Sequence, residues 1–200
     1  MRRLLKNRLA LSTVVTTLII LVVSVLLAGV VTYFAINVTS TRVQEESVHI
    51  TKHHVWHNSS SGVSLASLLV INTGGRDIVL DKISVRGQVC PWNDTGNTGA
   101  STDKFVLYVT TNNPVSADLE FTQVFKSTYN STQNQLTIGD TAYNFTVAPD
   151  DLVLGSGYSM IIYMVNPDSI SINDIGLTVS IELFTAQAMY YREANVQAKS

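Results

Sequence analysis

The chain has 200 residues, with 13 Lys or Arg against 15 Asp or Glu and a formal charge of −2. No basic surplus is available for nucleic-acid binding, which needs cations to neutralise phosphates. A single cysteine excludes an intrachain disulfide, and 11 Gly with 4 Pro are too few for a low-complexity chain.

The first predicted element is a hydrophobic helix. Residues 9–41 carry no charged side chain, directly behind the basic stretch Met1-Arg-Arg-Leu-Leu-Lys-Asn-Arg8. Residues 18–31 hold eleven Leu, Ile or Val, interrupted only by Ser24, Ala28 and Gly29. At roughly −0.3 to −0.6 kcal/mol per aliphatic residue, those eleven favour bilayer insertion by about 3–7 kcal/mol. Many are β-branched, which normally argues for a strand. In lipid a lone segment satisfies its backbone groups only as a helix. The basic end is expected to stay cytoplasmic, with everything past about residue 45 outside.

Three fates of this segment compete. A signal peptide has an apolar core of about 7–15 residues, roughly half the length present here. A plain single-pass anchor fits both length and charge. The third is a prepilin, which loses only its basic leader and keeps the helix. Arg8-Leu-Ala-Leu-Ser-Thr-Val-Val-Thr-Thr-Leu-Ile-Ile-Leu-Val-Val-Ser-Val25 resembles the class III signal peptide of archaeal type IV pilins and archaellins. Those pilins place a segment of the form Ala-Ile-Ser-Pro-Val-Ile-Ala-Thr after a basic leader, and Ala10-Leu-Ser-Thr-Val-Val-Thr-Thr17 follows it at Ala10, Ser12, Val14 and Thr17. Thr13 stands where many members carry Pro, and the glutamate near the start of mature bacterial pilins has no counterpart.

The resemblance implies a leader over 1–8, cut after Arg8, Leu9 or Ala10, and a membrane and filament-core helix over 9–47. It implies an extracellular β-sandwich head over 48–200. Val14, Leu18, Val22, Leu26, Gly29 and Val30 would line the filament core, Ala28 and Gly29 permitting close helix approach. The implied partners are the membrane before assembly, a prepilin peptidase with its assembly machinery, and many copies of the same chain. After a cut at Arg8 the side chains carry a net charge of −6, which repels nucleic acid.

All four histidines follow, in Val48-His-Ile-Thr-Lys-His-His-Val-Trp-His57. His49, His53 and His57 recur every four residues and would share a face of a helix or a strand. Three imidazoles on one face suit zinc or copper. The alternative is the polar outer face of a first strand, with Ile50 and Trp56 packed inward. With no cysteine or carboxylate at ligand spacing, no metal and no cofactor are expected.

Beyond these, alternating and β-branched runs predict strands over 63–71, 77–86, 104–111, 119–125, 135–138, 143–147, 158–165, 177–184 and 189–196. The first two are expected to form a hairpin across Asn72-Thr-Gly-Gly75. Short strands with turn signals between them indicate an antiparallel sandwich. Polar loops, above all 91–103, would present the exposed contact surface. Sequons at Asn37, Asn58, Asn93, Asn130 and Asn144 supply glycosylation candidates, Asn93 and Asn130 foremost and Asn37 discounted at the membrane edge. Cys90, beside Pro91 and Trp92, reads as a small buried apolar residue, with pairing between subunits as the alternative. No Gly-x-Ser-x-Gly, P-loop or dinucleotide fingerprint occurs, and Asp150-Asp151 lack a histidine nearby. The expected function is a non-enzymatic subunit of an adhesive surface filament. The alternative is a permanently anchored exoplasmic binding module.

Overall fold

The computed structural model describes residues 2–43 and 45–200, with side chains for 11–40 and 45–200. The chain divides into two units at the 44/45 boundary, an N-terminal helix and a β-rich domain. Helix α1 spans Arg2–Val43. It ends earlier than the predicted limit of residue 47, and 45–47 belong to the second unit.

The second unit holds twelve strands among the described residues. They are β1 Val48–Asn58, β2 Ser64–Asn72, β3 Ile78–Val85, β4 Gln88–Cys90, β5 Phe105–Thr111 and β6 Gln135–Ile138, then β7 Thr141–Asn144, β8 Thr146–Val147, β9 Leu152–Leu154, β10 Ser159–Val165, β11 Thr178–Thr185 and β12 Met189–Lys199. The main ladder runs β4-β3-β11-β12-β1-β2-β10-β5-β8, with β9 also on β3 and β6-β7 a separate hairpin. Every pairing is antiparallel except β1 with β12. Strand β12 turns the corner: Met189 to Asn195 pair with β11, and Val196 to Lys199 pair with β1. The ladder thereby folds over itself into a sandwich.

One core lies between the two halves, where Ile50, Val55, Leu68, Val70 and Ile162 meet Leu80, Ile83, Ile181 and Leu183. A second core sits on the other side of the β1-β2-β10-β5 half, with Trp56, Leu65, Leu69 and Tyr163 against Leu119, Phe125, Ile138 and Phe145. Strands β2 and β10 are therefore covered on both faces, which is why they read as continuous apolar runs.

The second core explains the missing strand over 119–125. Leu119 and Phe125 are buried, but local side chains take the backbone donors of this segment. Asp118 Oδ1 accepts from the Leu119 amide and Thr122 Oγ1 from that of Val124, bonds that compete with a ladder. The expected β2–β3 hairpin is also absent. Strand β2 is flanked by β1 and β10, while β3 pairs with β11, β4 and β9 in the other half. The Asn72 side chain makes the crossing, accepting from the Gly74 amide and donating to the carbonyls of Arg76 and Leu154.

Candidate functional site

Helix α1 is the feature with functional content. Its segment Leu11–Ser40 has 30 residues, reaches a mean hydropathy of 2.9 over its most apolar 18-residue stretch, and has no buried part. At about 1.5 Å per residue it reaches roughly 45 Å, against the ~30 Å hydrocarbon core of a bilayer. By length and apolarity it is able to cross a membrane, as an anchor or as a signal sequence.

Four hydroxyl side chains of the helix are turned back on it. Thr16, Ser24 and Thr32 donate to the carbonyls of Ser12, Ile20 and Ala28, and Thr17 donates to that of Val14. Hydroxyls satisfied in this way add little to the cost of an apolar environment. Val14, Leu18, Val22, Leu26 and Val30 form one exposed row, and Val15, Ile19, Val23, Leu27 and Val31 form the next. The helix is apolar all round. Nothing lies within 4 Å of the place where a Gly29 Cβ would stand, so the helix carries an open notch there. Arg8, Leu9 and Ala10 fall within α1, and their side chains lie outside the described residues.

The structure separates the histidines. A bulge interrupts β1 between Thr51 and His54, with Lys52 at φ 50°. His49 is exposed opposite Ile71, whereas His57 is buried opposite Ser64 and shares a hydrogen bond with its hydroxyl. Those rungs are seven residues apart along β2, roughly 23 Å at about 3.3 Å per residue. Burial draws the His53 pKa below its ordinary value, against the raising effect of the Glu193 backbone. The expected shared face therefore does not form, and among the described residues no three metal-capable side chains cluster. Ile50 and Trp56 do pack inward, but into different cores because the bulge switches the alternation.

The sequons divide as well. Asn93, Asn130 and Asn144 are exposed. Asn58 is buried, and its Oδ1 accepts from the amides of Ser60 and Ser61, so it is a poor acceptor for a glycan. Cys90 is buried in the first core, and desolvation pushes its thiol up to about 12.

Sequence reasoning passed over the segment that opens the β domain. The Glu46 carboxylate accepts from Thr185 Oγ1 at 2.5 Å and from the Tyr190 hydroxyl at 3.2 Å. The Ser47 carbonyl accepts from the amides of Thr73 and Gly74. A Cβ on Gly74 would come within 2.8 Å of this segment's backbone, so Gly74 serves a close approach and not a hairpin. No protein-family model and no curated protein matches the chain.

Proposed function

We propose that this chain is the structural subunit of an archaeal type IV pilus-like surface filament, polymerising through α1 and serving adhesion. One observation carries the reading: a 30-residue apolar segment exposed on every face, beside a β domain that has its own complete cores. In the stored form lipid covers α1. Once the helix leaves the membrane, only apolar surface on other molecules can replace that cover. A single groove hides one side of a helix. A bundle of identical helices hides all of them, and head-to-tail contacts that do not close generate a helical filament.

The resemblance of the 8–25 segment to class III signal peptides supports the same reading, with a prepilin peptidase and an assembly machinery as partners. The β domains form the outer sheath, no catalysis is involved, and the exposed sequons Asn93, Asn130 and Asn144 are available for glycans. N-terminal mass spectrometry of protein sheared from the cell surface tests the proposal. The expected mature start is Leu9, Ala10 or Leu11. An intact Met1 in extracellular material overturns it, a start near residue 36 indicates a secreted protein, and a chain found only in the membrane indicates an anchored binding module.

A further inference from the structure

We infer that the β domain carries a binding site for a single sugar ring bearing a carboxylate, at the end of the sandwich opposite Glu45. Strand β1 runs from the Glu45 end to Asn58, so the turn into β2 lies at the other end. There Leu65, Val165 and Phe105 stand side by side at the matching ends of β2, β10 and β5. Segments 99–101 and 122–126 close over them around a cavity of about 190 Å³.

The floor is apolar and fixed. Leu65, Phe105, Phe125 and Val165 are all buried, and the Phe125 ring is held at 5.2 Å from those of Phe145 and Tyr163. The rim is polar and under-used. Gln123 Nε2 donates to Ser61 Oγ at 2.8 Å, and among the described residues Gln123 Oε1 and the Ser61 proton have no further partner. Among the described residues the Ser101 hydroxyl has none either, and Thr122 Oγ1 accepts from the Val124 amide without donating its own proton. Apolar walls with a few converging donors and acceptors are the usual build of a small-molecule site. A pyranose has the matching surface, an apolar C–H face edged by hydroxyls. The volume lies below the roughly 300 Å³ at which drug-sized pockets begin, which suits one ring and not an oligosaccharide.

Charge narrows the ligand further. Residues 45–200 contain 8 Lys or Arg against 15 Asp or Glu, a net of −7. Yet the one charged side chain lining the cavity is a cation, Lys126, whose ammonium also sits 5.2 Å from the Tyr129 ring. A basic residue in the lining of a site in an acidic domain favours an anion, so a hexuronic acid fits better than a neutral or an amino sugar.

The site deepens the adhesive reading and rests on it only for its use by the cell. The test is chemical-shift titration of the full chain in detergent micelles with glucuronate, glucose and glucosamine. Glucuronate is expected to bind most tightly and glucosamine least. Lys126→Ala should weaken glucuronate about tenfold, to the level of glucose. Ala100→Trp, an exposed position over the mouth, should abolish all three while leaving thermal unfolding unchanged. No shift with any sugar, or shifts that persist in Ala100→Trp, would overturn the inference. Filaments are scored in parallel: sugar binding without filaments would refute the filament reading and leave the site standing.

Discussion

Residues 18–27 of α1 and strand β2 are built largely from the same material, Leu, Ile and Val with isolated serines, and the chain treats them in opposite ways. In β2, Leu65 and Leu69 enter one core and Leu68 and Val70 the other, each at most 1% exposed. In α1, Leu18, Leu21 and Leu26 are each more than 60% exposed. Their hydroxyls differ in the same sense. Ser24 bonds within its own helix, whereas Ser64 reaches across 106 residues to the Ile170 carbonyl. Apolar composition alone therefore does not decide burial. Strand β2 is covered on both faces, and the aliphatic side chains of α1 stay exposed.

The sharpest way to break this contrast is to charge α1. Val22→Asp should abolish filaments, because an unpaired buried carboxylate costs several kcal/mol in every subunit. The same change opposes bilayer insertion by roughly 3 kcal/mol, so membrane levels are to be measured beside filament counts by electron microscopy. Normal filaments from a stably inserted Val22→Asp chain would sink the helical-core proposal.

Truncation inverts the comparison. Leu68→Ala removes a side chain buried between the two halves of the sandwich and should destabilise the β domain by about 2–5 kcal/mol. Leu21→Ala in α1 should leave the unfolding of that domain unmoved. Chemical denaturation followed by tryptophan fluorescence reads both, since Trp56 and Trp92 lie in the β domain. Equal losses from the two substitutions would show that α1 packs into the domain.

How much of this was legible in the sequence follows from the same distinction. The run of aliphatics behind a basic stretch was enough for α1, because a membrane-length helix needs no partner in the chain to be recognised. The strands with strong local patterns, β2, β3, β5, β10 and β11, also lay close to their expected positions. Pairing was not legible. Nothing local says that Val196 to Lys199 lie parallel to β1, or that β3 crosses to the other half, since those choices depend on which edges are already occupied. The β1 bulge rests on a left-handed Lys52, a conformation with no side-chain signal in lysine, and it undid the histidine face. Strands β4 and β9 have three residues each, too short for a period to show. The Glu46 anchor depends on two hydroxyls about 140 residues away, beyond any motif.

A pH prediction sharpens the contrast in the polar part of the β domain. Burial of Asp103 raises its pKa, but the Ser127 hydroxyl and the amides of Thr98 and Gly99 prevail and hold it below the usual carboxylate range. A folded pKa below the unfolded value gives stability that is fully present above about pH 4 and is lost as pH falls further. Thermal stability should therefore fall from pH 5 to pH 3, and Asp103→Asn should flatten that dependence. An unchanged slope in the variant would remove Asp103 from the account. Helix α1, with no acid among residues 11–40, should show no such dependence.

The smallest effect concerns Cys90. The residue is 6% exposed, and desolvation raises its thiol pKa to about 12, with Asp168 adding to the rise. At pH 8 the folded thiol is therefore almost wholly protonated, whereas an ordinary thiol near 8.5 is roughly one-quarter ionised. Alkylation of the folded chain should consequently be slow and should run to completion only after denaturation. Filaments formed by Cys90→Ala should match the parent, because a thiol facing the core has no route to a neighbouring subunit. Rapid alkylation without denaturant would place the residue at the surface. A dimer on a non-reducing gel, absent in Cys90→Ala, would show that subunits pair through it and that strand β4, at the margin of the sheet, opens to let them.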